Sequence, residues 1–218
     1  MGEDDSLDSE LTTLGVQQGQ TAHQQYEHLW RRENGLCFDL VVASPLSRAL
    51  HTADLLAPPP RATKAKRICY EQFREINGKL LNAKRRTRQE LEAKFPHWNF
   101  STLATDHDTT WTQALETHAA CQARGFDGLA WLLQERPASE HCILLVAHGG
   151  ILRFCMAEFP QKIVMRDERT TTTTSCTTHY RPVTARFDNC EVRRYRLEWE
   201  DETLKDQGRI VLTEVDVC

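Results

Sequence analysis

Apolar positions recur along this chain in two rhythms: a three-to-four-residue spacing in some stretches, short unbroken or alternating runs in others. From Thr12 to Arg32 the residues Ala22, Tyr26, Leu29 and Trp30 share a helical face, with Thr12 as a cap and Asn34-Gly35 as a stop. The run Phe38 to Val42 predicts a strand. Ser44 then reads as a helix cap and Pro45 as the first helical position of a helix from Leu46 to Leu56. Pro58-Pro59-Pro60 ends that unit, and Arg67 to Tyr70 predicts a second strand leading into Arg74-Glu75-Ile76-Asn77-Gly78.

The stretch from Leu80 to Trp111 mixes Lys84, Arg85, Arg86 and Arg88 with Pro96, His97 and Trp98, and predicts a helical and loop insert at about 80–110. From Trp111 to Glu135, Leu115, Ala119, Phe126, Leu129 and Leu133 keep close to a helical period, which predicts one long helix weakened by Gly125 and Gly128. Ile143-Leu144-Leu145-Val146-Ala147 is a continuous apolar run of the kind buried on both faces of a parallel sheet; it ends at His148-Gly149-Gly150, before a helix from Ile151 to Glu158. Thr170 to Thr178 reads as a Thr/Ser surface loop, Arg193 to Trp199 alternates as a half-buried strand, and Ile210-Val211-Leu212 offers a last strand. Strands alternating with helices predict a three-layer α/β/α domain on a mostly parallel sheet, spanning residues 1–218.

Composition narrows the classes. The 218 residues are 40% hydrophobic and 27% charged, enough apolar content to bury a core. A formal net charge of -4 supplies no global field for nucleic acid or an anionic membrane, and no apolar run reaches the roughly 18 to 20 residues of a membrane span. The start, Met1-Gly2-Glu3-Asp4-Asp5, is acidic where a secretory signal is basic and then apolar, so the expected location is cytoplasmic. The 8 cysteines form no C-x-x-C pair, which fits reduced buried thiols, and the 9 histidines form no metal-binding pattern, so no metal or other cofactor is expected.

Two units share one design, a strand running into a polar residue and then a helix: Val41-Val42-Ala43-Ser44-Pro45-Leu46-Ser47-Arg48 and Val146-Ala147-His148-Gly149-Gly150. Ligands of open α/β sheets bind beyond the carboxyl ends of the strands, where a helix N-terminus favours an anion. Arg48, in the first turn of its helix, opposes the helix dipole and is well placed to hold an anion; taken alone it reads as a solvated or salt-bridged arginine. His148 is a capped core residue on one reading and part of a phosphate or oxyanion pocket on the other, because Gly149-Gly150 admits a ligand close to the backbone. Glu75 is an ordinary surface carboxylate taken alone and a general acid if partly buried.

Together these segments resemble the histidine phosphatase superfamily, the phosphoglycerate-mutase-like proteins. Ser44-Pro45-Leu46-Ser47-Arg48-Ala49-Leu50-His51-Thr52-Ala53 is similar to that family's S-P-L-x-R-A-x-x-T-A segment, and Asp8 with Leu11-Thr12 and Gly15 to its D-x-x-L-T-x-x-G helix start. Phe73-Arg74-Glu75 with Gly78 resembles the L-R-E-x-x-G loop, Val146 to Gly150 the second histidine motif, and Asn189-Cys190-Glu191-Val192 the strand after the active site. Ordered matches from about Asp8 to Leu197 are far more specific than any one of them. The resemblance implies a phosphohistidine mechanism without a metal, in which Arg48 holds phosphate oxygens, His148 and Gly149 help bind them, and Glu75 is the proton donor.

The same resemblance implies an R-H-G motif upstream of Asp8, yet no Arg-His dipeptide occurs anywhere in the chain. His23 and His28 fall inside the first predicted helix and His51 lies one turn past Arg48, so none takes the nucleophile's place. The family fold makes the strand that carries R-H-G an interior neighbour of the His148 strand, and its loss exposes two strand edges. The expectation is an N-terminally truncated sequence of a phosphomonoester hydrolase acting on a small phosphorylated substrate or a phosphoprotein, cytoplasmic as written, with an upstream targeting peptide left open by the incomplete N-terminus. The alternatives are a catalytically inactive phosphate-binding or interaction protein and, more remotely, an unrelated hydrolase using Ser44, which lacks a G-x-S-x-G elbow. Mutases of the family carry E-R-H-Y-G where this chain has Glu75-Ile76-Asn77-Gly78, which leans toward hydrolysis. The basic stretch at Lys84, Arg85, Arg86 and Arg88 favours a polyanionic substrate if it faces the pocket, and a solvated helix face otherwise.

Overall fold

Val41, Val42 and Ala43 have no solvent exposure at all, and the strand they form, β1 (Leu40–Ala43), organises the structure around it. The computed structural model describes residues 7–32, 35–36, 38–58, 65–135, 142–156, 163–167, 187–201 and 209–215. β1 is flanked in parallel by β2 (Lys66–Cys69) and β3 (Ile143–Val146), giving the order β2-β1-β3 with Val42 level with Ile68 and Leu145. Side chains alternate across this sheet. Val41, Ala43, Leu144 and Val146 pack into one core with Ala49, Leu50 and Ala53 of α2 (Ser47–Leu56), with Ala22 of α1 (Thr13–Trp30), and with Leu91 of α3 (Arg88–Lys94). Leu40 and Val42 pack into a second core with Leu129 and Leu133 of α4 (His118–Glu135) and with Ile151 and Cys155 of α5 (Gly149–Met156). Helices therefore cover both faces of a parallel sheet, as the apolar patterning predicts.

A second, mixed sheet has the order β4-β6-β5, with β4 (Ile163–Asp167) parallel and β5 (Arg194–Trp199) antiparallel to the central β6 (Ile210–Val215). Ile163, Trp199, Ile210 and Leu212 join the second core. The alternation read from β5 holds, with Arg194, Arg196 and Glu198 exposed. Arg31–Arg32 and Gly35–Leu36 form a short antiparallel pair after α1.

Several expectations are corrected. α2 begins at Ser47, with Leu46 at the cap position, rather than at Leu46 behind a Ser44 cap. α4 begins at His118, not Trp111, because Glu116 and Asn77 exchange hydrogen bonds that draw the preceding residues into a loop, and Leu115 stays 59% exposed. Gly125 and Gly128 are packing requirements of that helix: a Cβ would lie 2.2 Å from Cys155 Sγ and 2.8 Å from Phe73. Among the described residues β3 is an edge strand of its sheet, and its Ile143 and Leu145 are half-buried, so it is not a strand buried on both faces. Asn189 and Cys190 form a turn, with Cys190 at φ 59, where a strand was expected. Cys69, Cys121 and Cys155 are buried free thiols, and burial raises each above its ordinary pKa, to about 12 for Cys121 and Cys155. Pro59, Pro60 and the Thr-rich segment lie outside the described residues. Among the described residues no helix is long and apolar enough to cross a membrane.

Candidate active site

The loop from β1 into α2 is built on a carboxylate borrowed from far upstream. Asp8 is fully buried and accepts the Ser47 N–H at 2.8 Å on one oxygen and the Ser47 hydroxyl at 2.7 Å on the other. It thereby satisfies a donor that the helix's own cap residue, Leu46, leaves unpaired. The Arg86 N–H reaches the same carboxylate at 3.4 Å. Burial raises the Asp8 carboxyl above its usual range against these hydrogen bonds and the nearby Arg48 charge. The N-terminus of α2, read from sequence as an anion site, already holds an anion of the protein's own. One turn in, Arg48 donates from Nη1 to the Asn82 carbonyl at 2.7 Å, and Asp8 and Glu75 are the acidic groups closest to it in electrostatic effect.

Glu75 follows a short 3-10 turn, Glu71–Phe73, at the end of β2. Its Oε1 accepts the Ile76 N–H at 2.9 Å and the Ile151 N–H at 3.1 Å, so it caps the N-terminal turn of α5. Gly150 permits this approach, since a Cβ there would sit 2.2 Å from Oε1. Glu75 Oε2 makes no hydrogen bond among the described residues, both of the carboxylate's bonds falling on Oε1. The loop is held by Arg124 of α4, which donates to the carbonyls of Gln72, Arg74 and Glu75 at 2.6, 2.9 and 3.3 Å and grips Glu116 with two nitrogens. Arg74, the motif neighbour of Glu75, turns away: it is 1% exposed and pairs with Glu71 at 2.7 Å and with both oxygens of Asp108. Burial opposes ionisation of Asp108, but the Arg74 guanidinium overrides it and holds that carboxyl well below the usual range.

His148 closes β3 and is 8% exposed, with Nε2 at 2.8 Å from the Ser44 hydroxyl oxygen. Burial, reinforced by the Arg48, Arg124 and Arg74 charges, pulls its pKa well below 6.5, so the imidazole is neutral at pH 7.

Arg48, Glu75, His148 and Gly149 all line one cavity of about 1530 Å³. That exceeds the roughly 300 to 1,000 Å³ of an ordinary small-molecule pocket, and its lining explains the excess. Every consecutive residue from Cys142 to Gly150 and from Phe187 to Glu198 borders it. A cavity lying over one face of a strand meets alternate residues; one that meets each in turn runs along the strand's edge. Among the described residues β3 is the edge of the parallel sheet and β5 an edge of the mixed sheet, so the cavity is a slot between two sheet edges, with Arg48, Glu75, His148 and Gly149 in its lining.

The four residues read from sequence as site residues therefore converge on one cavity, while the basic stretch does not. Arg85 is buried against Glu71 and the carbonyls of Thr105 and Asp106, Arg86 and Arg88 pair with Glu90 and Glu92, and Lys84 sits over the Trp111 ring. Sequence reasoning missed Arg124, which no motif marks, and the placement of Asp8 and Ser44, which were visible in motifs but carry roles that only contacts reveal. Among the described residues His148 is the one histidine lining the cavity, and no group of three or more metal-binding side chains is present.

Comparison with known proteins agrees with this architecture. The family model described as histidine phosphatase superfamily (branch 1) matches residues 4–196. Among solved structures, a mycobacterial hydrolase aligns over 98% of this chain and 84% of its own at 21% identity and TM-score 0.55. A mycobacterial glucosyl-3-phosphoglycerate phosphatase in complex with VO3 aligns over 94% of this chain and 86% of its own at 22% identity and TM-score 0.53. At these identities the likeness is one of fold. Among curated proteins, none matches this chain.

Proposed function

Because this chain belongs to the histidine phosphatase superfamily (branch 1), we propose that it is the phosphate-binding body of a phosphomonoester hydrolase for a small phosphate ester. The observation that carries this reading is the convergence of Arg48, Glu75 and His148, from three separate strand ends, on one cavity. Arg48 and His148 hold non-bridging phosphoryl oxygens, and the backbone at Gly149 lies beside them. The nucleophile is a histidine on a segment outside these 218 residues, seated in the slot along β3 so that its carboxyl end meets His148. Attack of that nitrogen on phosphorus breaks the ester P–O bond, and Glu75 Oε2 gives the leaving oxygen its proton. Water then attacks the phosphohistidine while Glu75 takes the water's proton, releasing phosphate and restoring both side chains.

A second reading, a nucleophile-free phosphate-ester binder, is favoured by the cavity's single lining histidine among the described residues. Calorimetric titration of the 218-residue chain with inorganic phosphate and orthovanadate tests the shared premise. The expected result is binding by the wild type, at least tenfold weaker in Arg48→Ala, and no turnover of p-nitrophenyl phosphate by this chain. Absence of binding overturns both readings. Intact mass of the protein from its source separates them: N-terminal peptides containing Arg-His-Gly support the hydrolase, and a mass equal to the 25.1 kDa of this sequence supports the binder.

A further inference from the structure

Ser44 and His148 meet at the carboxyl ends of adjacent strands. The Ser44 N–H donates to the Val146 carbonyl at 3.0 Å, carrying the β1–β3 pairing one residue further and bringing the Ser44 hydroxyl to 2.8 Å from His148 Nε2. Ser44 has no solvent exposure, so its hydroxyl must be satisfied within the protein. Its oxygen accepts the Leu46 N–H at 3.3 Å. Its hydrogen has one acceptor within reach among the described residues, and that acceptor is His148 Nε2.

A neutral imidazole has one N–H and one bare nitrogen. If Nε2 receives the Ser44 hydrogen, Nδ1 carries the ring's own. Nδ1 makes no hydrogen bond among the described residues. It is also absent from the buried polar side-chain atoms left without a partner, which among the described residues are Arg74 Nε and Asn77 Oδ1. A nitrogen that is neither paired nor sealed off opens onto the cavity His148 lines.

We propose that Ser44 is a positioning residue for His148: its hydroxyl donates to Nε2, holds the imidazole in the Nδ1–H tautomer, and so presents an N–H donor to an anion in the cavity. The opposite tautomer would turn a lone pair toward the phosphoryl oxygens and repel them. The anion belongs to the phosphate-binding reading above; the tautomer does not depend on it. The arrangement also keeps His148 a donor while neutral, so it holds an oxyanion without titrating.

The test is ¹⁵N NMR of the full 218-residue chain labelled at histidine, where the ring-nitrogen shifts distinguish N–H from bare nitrogen and His148→Gln assigns the signals. The expected result is Nδ1–H in the wild type, loss of that preference in Ser44→Ala, and its return in Ser44→Thr, which keeps a hydroxyl. Orthovanadate affinity is expected to fall about tenfold in Ser44→Ala and recover in Ser44→Thr. A wild-type His148 in the Nε2–H form overturns the proposal without any variant. Unchanged orthovanadate affinity in Ser44→Ala overturns the positioning role. A wild type with Nδ1–H that binds neither phosphate nor orthovanadate supports the tautomer and overturns the functional reading instead, so the two failures are distinguishable.

Discussion

The β1–α2 and β3–α5 units are written alike, an apolar strand, a polar residue and a helix, and the protein uses them differently. β1 is central, paired on both sides and buried at every position, and the N-terminus of α2 is closed by Asp8. β3 is an edge strand with alternate residues half-buried, and α5 is capped by Glu75, whose second oxygen stays free, beside a histidine facing a cavity. The first unit has its helix start closed by the protein's own carboxylate and sends only side chains, Arg48 among them, to the cavity, whereas the second lays its strand edge and its helix start along that cavity. The difference comes from what neighbours each strand, since a strand paired on one side only leaves its other edge to solvent or to a visitor.

The largest effect should come from truncating matched apolar side chains in the two units. Leu50→Ala, at a position with no exposure in α2, is expected to cost about 3 kcal/mol, while Leu145→Ala in β3 costs about 1 kcal/mol, because a half-buried side chain forfeits less area and leaves no sealed cavity. Urea unfolding of the two variants measures both, and equal costs would erase the distinction. Next is Asp8→Ala, expected to remove about 2 kcal/mol by leaving the buried Ser47 N–H and hydroxyl without an acceptor; chemical denaturation again reports it.

A smaller effect separates the two glycines of α5. Among the described residues, alanine at Gly149 meets only the Phe187 carbonyl at 3.8 Å, an ordinary contact, and should leave stability within about 0.5 kcal/mol of wild type. Alanine at Gly150 collides with Glu75 Oε1 and should displace that carboxylate, lowering orthovanadate affinity at least tenfold more than Gly149→Ala does. Comparable affinities in the two variants would remove Glu75 from the site.

The smallest expected effect is on pH dependence, where the units have opposite signs. Burial first, then three arginines, lowers the His148 pKa, so the unfolded chain takes up a proton below 6.5 that the folded chain refuses. The contribution is full above 6.5 and is lost progressively as pH falls toward the folded value. Asp8 runs the other way: burial raises its carboxyl above 3.8, so its contribution is full below 3.8 and is lost as pH rises through the folded value. Melting temperature should therefore drop more steeply from pH 6.5 to about pH 5 in the wild type than in His148→Asn, and identical slopes would place His148 in a solvated setting.

How much of this was legible follows from the range of each interaction. α1 begins one residue past its predicted cap, with Thr12 accepting the Gly15 N–H at 3.1 Å, because capping is decided within four residues of sequence. β2 and β5 fall close to where their apolar patterns put them for the same local reason. α2 and α4 start later than their patterns predict because distant partners, Asp8 for the one and Asn77 for the other, fix their first turns. The alternate burial of β3 was invisible in its unbroken apolar run, since composition records what a strand can bury and not whether a neighbour arrives to bury it.

By itself, then, the order of residues determined the α/β class, the family, and the identities of Arg48, Glu75, His148 and Gly149 as candidates, because each rests on residue type and short spacing. Only the tertiary structure decided that Arg74 is spent on Asp108 while Glu75 stays available, that Arg124 braces the loop between them, that Asp8 closes one helix, and that the Ser44 hydroxyl faces His148. These are contacts between residues far apart in the chain. Hydrogen bonds and charges act over a few ångströms, so which of several equally suitable side chains forms each pair is set by folding and not by local pattern.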